Sequence, residues 1–244
     1  MANIHLVMQG KGGVGKSLLA FYIAQYVKEK SGKCLVCDTD PLNQTLSRTA
    51  ALNAKVVRIL ADDYTTVMKN AFDLMIEECE AEDADVVIDI GASSFVPMLE
   101  YCAVNGVYDL WHEMGHACIL HSIITGKDFR DTCRMFAVVM EKTGRLPSVS
   151  SIVWLNPFAG PVAKDGKGFD KTSVYRDNER HIKAVLPMPA FTGDMFHPDF
   201  LAMMERGKTF NEMIDDPEVT LMSTQRIKMM KREVFGIMDK AGIF

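Results

Sequence analysis

The residues with the clearest chemical potential form a glycine-rich stretch near the start of the chain. The stretch GKGGVGKS matches the phosphate-binding pattern G-x-x-x-x-G-K-[ST] through Gly10, Gly15, Lys16 and Ser17. Its glycines let the backbone turn tightly, so that successive N–H groups converge on phosphate oxygens. Lys16 would bridge the β- and γ-phosphates of a nucleotide, and the Ser17 hydroxyl would ligate Mg²⁺. The candidate nucleotide contacts in this segment are Gly10, Gly12, Gly13, Val14, Gly15, Lys16, Ser17 and Leu18. The alternative is a glycine-rich turn that binds nothing.

A second pattern with known chemistry, HEMGH, lies in the middle of the chain. His112 and His116 stand four residues apart with Glu113 between them, as in many zinc metalloproteases. On a helix over residues 107 to 117, both histidines would face the same way and Glu113 could act as general base. The next stretch, residues 117 to 126, is rich in β-branched residues and favours a strand instead. No third ligand follows at the expected spacing. We therefore interpret HEMGH as a chance match and keep a zinc-dependent hydrolase as a disfavoured alternative.

Three aspartates follow predicted strands and could complete a phosphoryl-transfer site. Asp38 and Asp40 lie in CDTDP at the end of one apolar run, and Asp89 lies in VVIDIGAS at the end of another. Because the carboxyl ends of parallel strands meet at one edge of a sheet, these carboxylates are expected near the metal and the attacking water. The simpler alternative for each aspartate is a cap on a strand end or a helix start.

Asn156 is a candidate contact to the nucleobase. It ends the predicted strand IVWLNP, and its amide can both donate to and accept from a purine edge. A turn-forming asparagine before proline is an equally good interpretation. These residues give little ground for choosing ATP over GTP.

The elements that must position these residues alternate along the chain. Continuous apolar runs predict strands, and apolar residues at helical spacing predict the helices between them. Strands are predicted over residues 3–10, 34–38, 55–60, 85–91, 117–126, 151–157 and 182–189, and helices over 17–30 and 64–80. Segment 157–173, rich in Gly, Pro, Lys and Asp, predicts a long mobile loop. The alternation predicts one α/β domain over residues 1–244, a doubly wound, mostly parallel sheet with helices on both faces.

Composition limits where the protein acts. The chain has 244 residues, 48% hydrophobic and 24% charged, with a formal net charge of −5. That charge gives no general attraction to nucleic acid, so DNA or membrane contact needs a local basic patch. No apolar run reaches the roughly 18 residues that span a bilayer, and the start lacks a signal-peptide pattern. We expect a cytoplasmic protein with six free thiols, in which Cys34 and Cys37 point to opposite faces of one strand.

The C-terminal stretch, residues 218–240, predicts an amphipathic helix with a basic flank. Its apolar stripe consists of Leu221, Ile227, Met230, Val234 and Ile237, and its flank of Arg226, Lys228, Lys231 and Arg232. Such a helix can lie on a membrane surface or contact DNA phosphates. Packing on the sheet is the commoner fate of such helices and is our interpretation.

These motifs resemble the ParA/MinD superfamily of dimerising P-loop ATPases, which have the SIMIBI-type fold. The stretch KGGVGK carries a second lysine, Lys11, as the deviant Walker motif of that superfamily does. The resemblance implies ATP and Mg²⁺ as cofactors. It also implies an ATP-dependent homodimer in which Lys11 reaches the nucleotide of the partner subunit. Phosphate charge buried between two subunits needs added cations, which is the physical sense of a second lysine.

The resemblance assigns catalytic roles to the residues that follow the strands. Asp40 matches the switch I aspartate that orients the attacking water, and Lys11, Lys16 and Asp40 are then the expected catalytic residues. Asp89 matches the Walker B aspartate, which acts on Mg²⁺ through a water, so the metal site would comprise Ser17, Asp40 and Asp89. Gly91 would present its N–H to the γ-phosphate.

Across most of its length, the chain looks most like the TraL/StbB-type branch of this superfamily, encoded by conjugative plasmids. The stretches QGKGGVGKS, DTDP, LHSIITG, IVWLNPFAG and VLPMPAF carry this resemblance. In the superfamily, an asparagine at the place of Asn156 reads adenine, and a turn like that of Pro187 and Pro189 packs against the base.

Both switch segments depart from the DNA-segregating members of the superfamily. Switch I reads DPLNQTL where those members usually have D-P-Q, and switch II reads DIGASS where they usually have paired prolines. The resemblance therefore implies a slow, partner-stimulated ATPase in conjugative transfer or plasmid maintenance. Its partner would be a protein of the same process, and DNA or the inner face of the membrane would be its surface. A non-hydrolysing, nucleotide-dependent binding switch is the alternative.

Overall fold

A seven-stranded parallel sheet forms the centre of the described chain. The computed structural model describes residues 2–40, 45–59, 68–81, 84–143 and 146–242. The strands are β1 Asn3–Met8, β2 Cys34–Asp38, β3 Lys55–Val56, β4 Asp85–Ile90, β5 Ala117–Thr125, β6 Val149–Asn156, β7 Ala163–Lys164, β8 Lys167–Gly168 and β9 Ile182–Pro187. The order across the sheet is β3-β2-β4-β1-β5-β6-β9, and every neighbouring pair is parallel. Strands β7 and β8 form a separate antiparallel hairpin.

Helices cover both faces of this sheet. They are α1 Lys16–Ser31, α2 Lys69–Ala81, α3 Phe95–Val104, α4 Val107–Glu113, α5 Phe129–Lys142, α6 Ser173–Asn178, α7 His197–Glu205, α8 Phe210–Ile214 and α9 Leu221–Ala241. Helices α1, α7, α8 and α9 share one apolar core with the sheet, and α2, α3, α4 and part of α5 share the other. This confirms the predicted doubly wound α/β architecture. In the described ranges, no helix is both long enough and apolar enough to cross a membrane.

Several predicted elements differ in extent from those observed; the strands predicted over residues 3–10 and 182–189, for example, end at Met8 and Pro187. The strand expected over residues 55–60 is shorter, because β3 is an edge strand that pairs only with the end of β2. Residue 60 and residues 64–67, the predicted start of α2, lie outside the described residues. Segment 157–173 contains the β7–β8 hairpin rather than loop alone, and Phe169 anchors it by packing in a small core with α5.

Strand β2 separates its two cysteines as expected. Cys34 packs against the core on the α1 face, whereas Cys37 lies in the core on the α2 face. All six cysteines of the chain are free. The CLVC stretch is therefore a strand with period-two alternation, and a redox pair there is excluded by geometry.

Helix α9 packs its apolar stripe onto the molecule. Three residues of the stripe, Ile227, Met230 and Val234, are deeply buried, and Ile237 is partly buried against the same core. Met238, beside the stripe, is deeply buried as well. Two residues of the basic flank are neutralised within the chain, since Arg226 pairs with Asp199 and Lys231 pairs with Glu29. Leu221, at the first turn, is 83% exposed. The main face of α9 is therefore part of the core, as we interpreted it from the sequence.

A chain of buried polar side chains crosses β1, β5 and β6. The indole N–H of Trp154 donates to Nδ1 of His121 over 3.0 Å, and Nε2 of His121 lies 3.0 Å from Nδ1 of His5. An indole N–H can only donate, so Nε2 of His121 carries the proton and donates to His5. Burial, aided by the positive charge of Lys183, lowers the pKa of His5 to about 3. Burial also lowers the pKa of His121, so both imidazoles are neutral.

Candidate nucleotide-binding site

The parallel register brings the candidate site residues to one edge of the sheet. Asp89 of β4 lies beside Val7 of β1 on one side and beside Asp38 of β2 on the other. Because β1 leads directly into the glycine-rich loop, that loop and the aspartates meet at the carboxyl ends of the strands. A cleft of about 610 Å³ opens there, lined by the loop, Asp40 and Ser93.

The glycine-rich loop has the conformation that its sequence predicts. Gly15 has a φ of 98°, a left-handed conformation that strains other residues, and α1 begins directly after it. A Cβ atom on Gly15 would lie 3.1 Å from the amide nitrogen of Asn156. A Cβ on Gly10 would lie 2.8 Å from the ring of Phe95. The loop and the first turn of α1 can therefore direct backbone N–H groups at an anion.

Lys16 is a buried ammonium group at the start of α1. The residue is only 7% exposed, and its Nζ donates to the backbone oxygen of Lys11 over 3.2 Å. Burial lowers the pKa of Lys16, and the carboxylates of Asp89 and Asp40 oppose that shift. Removing an ammonium from water is costly unless a counter-charge lies close. A phosphate in the cleft would supply that counter-charge.

Asp89 is a buried carboxylate at the end of β4. The residue is fully buried, and neither side-chain oxygen has a hydrogen-bond partner. Burial raises the pKa of Asp89 to about 7; the nearby Ser17 hydroxyl opposes this shift, and the charge of Asp38 adds to it. Mg²⁺ in phosphate sites is held by one or two protein oxygens together with waters and phosphate oxygens. The residues present therefore fit Mg²⁺, with Ser17 and Asp89 as its protein side.

Thr39 ties the two switch segments together, a role that the sequence reasoning missed. Its hydroxyl donates to the backbone oxygen of Asp89 over 3.0 Å and accepts from the N–H of Gly91 over 3.1 Å. Its own carbonyl accepts from the Ser94 hydroxyl at the start of α3. In the sequence, the hint to this role was that Thr39 lies between the two aspartates of DTDP. Gly91 lies within the site as expected, with its N–H bonded to Thr39.

Asp40 lies against switch II. A Cβ atom on Gly91 would lie 3.1 Å from the Cα of Asp40, so a larger residue there would push the Asp40 backbone away by a few tenths of an ångström. The Asp40 N–H donates to Oδ1 of Asp38 over 3.0 Å, which places Asp38 in a supporting position. The candidate water-orienting carboxylate and the candidate γ-phosphate donor are therefore neighbours.

Lys11 pairs with carboxylates of its own chain. Its Nζ lies 3.2 Å from Oδ1 of Asp128 and 3.6 Å from Oδ2 of Asp131, at the start of α5. A hydrogen bond to Asp128 is the main cause of a raised pKa, so Lys11 stays charged. Its side chain is 41% exposed, and the residue directly precedes Gly12, which lines the cleft. The sequence reasoning missed both aspartates, which are separated from Lys11 by more than a hundred residues.

Asn156 contacts the glycine-rich loop directly. Its Nδ2 donates to the backbone oxygen of Val14 over 2.9 Å, and its Oδ1 accepts from the N–H of Phe158 over 3.0 Å. The second bond is the local turn that the sequence offered as an alternative. One N–H and one lone pair of the amide remain for a ligand. Of the two prolines proposed for the base, Pro189 is buried and Pro187 is exposed.

The HEMGH stretch does not form a zinc site. Helix α4 ends at Glu113 and β5 begins at Ala117, so His112 and His116 do not share a helix and the helical alternative over residues 107 to 117 is wrong. Nδ1 of His116 accepts from the N–H of Ala2 over 3.1 Å, and its Nε2 lies 3.0 Å from the Glu80 carboxylate. In the described part of the chain, no group of three or more His, Cys, Asp or Glu could hold a metal ion. Through these two contacts, His116 instead links the residue before β1 to helix α2.

This arrangement predicts different effects for the two histidines of HEMGH. Replacing His116 with alanine is expected to lower the free energy of unfolding by about 1–3 kcal/mol, because the half-buried Glu80 carboxylate then loses its hydrogen-bond partner. His112 is exposed, so His112→Ala is expected to change that free energy by less than about 0.5 kcal/mol. Urea denaturation of the two variants measures both values. Equal effects would contradict the linking role of His116.

Comparison with known proteins identifies the family. The chain is 39% identical over 246 residues to Protein TraL of Escherichia coli, with 100% of both chains covered. It is 38% identical over 245 residues to a second Protein TraL of Escherichia coli, again with 100% of both covered. This chain belongs to the TraL family. No protein-family model matches it.

Solved structures show the fold of this TraL-family chain. The MinD cell division protein of Aquifex aeolicus matches with a TM-score of 0.51 and 15% identity, covering 97% of this chain and 98% of that one. A plasmid partition protein from Borrelia burgdorferi, bound to AMPPNP, matches with a TM-score of 0.50 and 13% identity, covering 98% and 99%. The MinD/ParA-type P-loop fold expected from the sequence is therefore confirmed.

Proposed function

We propose that this TraL-family chain is an ATPase that binds Mg²⁺-ATP, dimerises in the ATP-bound state and hydrolyses the nucleotide slowly. One observation carries the proposal. Two buried ionisable side chains, Lys16 and Asp89, lie at a glycine-rich loop that can bind phosphate, and burial disfavours the charged form of each. Isolated, both groups destabilise the fold. A magnesium-bound triphosphate provides a counter-charge for each.

Each side chain of the site then has a defined task. The loop N–H groups and Lys16 hold the phosphate chain, with Lys16 between the β- and γ-phosphates. Ser17, Asp40 and Asp89 would hold Mg²⁺, with the two aspartates acting through water. When bound, Mg²⁺ neutralises charge that develops on the phosphate oxygens. Asp40, at the edge of the cleft, orients the attacking water.

The pairing of Thr39 with Gly91 provides the link between nucleotide and switch movement. For Gly91 to donate its N–H to a γ-phosphate, that N–H must leave the Thr39 hydroxyl. Thr39 also contacts Ser94 at the start of α3, so the exchange moves both switch segments together. This gives the protein a physical means of reporting γ-phosphate binding and its loss.

Lys11 is the proposed contact to a second subunit. Its charge is already balanced within the chain by Asp128 and Asp131. In an ATP-bound dimer, we expect Lys11 to leave these carboxylates and bind phosphates held by the partner subunit. Solvent-exposed ion pairs of this kind contribute only about 0–1 kcal/mol, so the exchange costs little.

The cellular role is proposed from the family. Relatives named Protein TraL, together with the likeness to the branch encoded by conjugative plasmids, support a role in conjugative transfer or plasmid maintenance. The protein would act in the cytoplasm with a protein partner of that process. DNA or the inner membrane face remains the proposed surface. Lys228 and Arg232 of the basic flank are exposed on α9 and available for it.

The solution mass of the Asp40→Ala variant tests the dimer. A variant that cannot orient water should accumulate its ATP-bound state, so light scattering should show a change from monomer to dimer on addition of Mg²⁺-ATP. The double variant Lys11→Ala/Asp40→Ala should stay monomeric. Lys127→Ala/Asp40→Ala is the matched control, because Lys127 is an exposed lysine beside Asp128, and it should still dimerise.

Phosphate release from the same proteins tests hydrolysis. The wild type should release phosphate slowly and Asp40→Ala should not. Equal release from the two would show that Asp40 does not orient the water. Binding without release by either would favour the non-hydrolysing switch. A constant mass in all variants would remove the proposed role of Lys11.

A further inference from the structure

Phe158 is an exposed aromatic residue in the loop that follows β6. Its side chain is 65% exposed. In the described residues, every other phenylalanine, tyrosine and tryptophan is buried or half-buried. Isolated exposed apolar residues are common and need no explanation by themselves. The position and the rigidity of this one carry the inference.

Hydrogen bonds connect Phe158 to the glycine-rich loop through one side chain. The N–H of Phe158 donates to Oδ1 of Asn156, and Nδ2 of the same amide donates to the backbone oxygen of Val14. The side-chain amide of Asn156 therefore bridges the backbone of Phe158 and the backbone of the phosphate-binding loop. Asn156 is 9% exposed, and the loop that carries the phenyl ring follows it directly in the chain.

The loop that carries Phe158 is held in one place. The N–H of Gly160 donates to the backbone oxygen of Pro157 over 3.0 Å, closing a tight turn around Phe158. The loop then presses on the end of β5, where a Cβ atom on Gly126 would lie only 2.2 Å from the backbone oxygen of Pro161. Only glycine at position 126 permits this contact. An exposed ring on a fixed loop can bind a flat ligand at a small cost in entropy.

We propose that Phe158 stacks on the purine ring of the bound nucleotide, an inference that rests on the proposed ATP site. The remaining N–H and lone pair of Asn156 would meet the edge of the base, while the phenyl ring covers its face. Stacking is tolerant of sequence, because every base has a π-face. Phe158 thus selects nucleotides over bare polyphosphate and adds affinity for ATP and GTP alike.

Dissociation constants for three magnesium-bound ligands test this role. Isothermal titration would compare ATP, GTP and inorganic tripolyphosphate. For Phe158→Ala, we expect both nucleotides to bind about 5- to 150-fold more weakly and tripolyphosphate to bind unchanged. Phe158→Tyr keeps an aromatic face and should bind all three ligands as the wild type does. Val104→Ala, at an exposed apolar residue of α3, is the matched control and should have no effect.

A photolabelling measurement reports the position of the base directly. Wild-type protein irradiated with 8-azido-ATP should be labelled in the peptide that contains Phe158, and excess ATP should prevent the labelling. Labelling confined to peptides remote from the loop would overturn the proposal. So would an equal loss of nucleotide and tripolyphosphate binding in Phe158→Ala, since that result indicates damage to the phosphate site.

The failure of this inference is distinguishable from failure of the proposed function. Wild-type protein that binds tripolyphosphate as tightly as ATP would overturn the role of Phe158 and leave the phosphate site intact. Wild-type protein that binds none of the three ligands would overturn both proposals.

Discussion

Lys16→Met is expected to weaken Mg²⁺-ATP binding by about 10- to 150-fold while the fold remains at least as stable without nucleotide. Methionine keeps the apolar stem of the side chain and removes the ammonium that would contact the phosphates. Burial lowers the pKa of Lys16, and the charges of Asp89 and Asp40 oppose that shift without cancelling it. Removing a buried charge that is only partly compensated relieves a cost to the folded state.

Thermal melting with and without Mg²⁺-ATP measures both parts of this prediction. A ligand at 100 times its dissociation constant stabilises the folded state by about 2.7 kcal/mol, so the wild type should melt at a higher temperature with nucleotide. Lys16→Met should show little increase and should melt no lower than wild type without nucleotide. Lys33→Met, at an exposed lysine after α1, is the control and should behave as wild type. A normal nucleotide-dependent increase in Lys16→Met would exclude Lys16 from the site.

Acid pH is expected to destabilise the protein through the buried imidazoles of His5 and His121. The pKa of His5 falls to about 3 and that of His121 falls as well, whereas in the unfolded chain both titrate near 6.5. As pH falls below about 6.5, the unfolded chain therefore takes up protons that the folded protein does not. Each such proton lowers the free energy of unfolding by about 1.4 kcal/mol per pH unit. From pH 7.5 to 4.5, His5 accounts for roughly 3 kcal/mol and the lowered pKa of His121 acts in the same direction, which is a large part of the whole stability of many domains.

Variants isolate this effect from other titrations. The raised pKa of Asp89 acts in the opposite direction, because the folded protein then takes up a proton before the unfolded chain does. The free energy of unfolding is therefore measured as a function of pH for the wild type and for each variant, and the slopes are compared. His5→Asn should reduce the slope between pH 5 and 6 by about 1.4 kcal/mol per pH unit, and His112→Asn should not change it. Identical slopes in wild type and His5→Asn would show that His5 titrates normally.

The local parts of the site were predictable from the sequence. Gly15 must adopt a left-handed conformation, and the apolar run before the loop and the helical spacing after it predict strand, loop and helix without tertiary information. The acidic ends of β2 and β4 follow from the same patterns. These features depend on the conformational preferences of residues close together in the chain. The same stretch would have those preferences in any protein.

The contacts that complete the site were not predictable in this way. Lys11 pairs with Asp128 across more than a hundred residues, and the order of strands across the sheet decides which loops meet. The HEMGH stretch illustrates the same limit. Its spacing is compatible with a helix, but pairing of β5 with β1 extends Ala117 onward as a strand and turns His116 towards Glu80.

The sequence alone determined the alternation of apolar strands with helices, the phosphate-binding loop and the likeness to a family of dimerising ATPases. The tertiary structure alone decided that the Thr39 hydroxyl accepts a hydrogen bond from Gly91, that His121 donates a buried hydrogen bond to His5, and that Phe158 stays exposed. The physical reason is the distance along the chain over which each kind of interaction acts. Backbone preference and side-chain periodicity act over a few residues, whereas burial and hydrogen-bond partners depend on segments that the sheet brings together from distant parts of the chain.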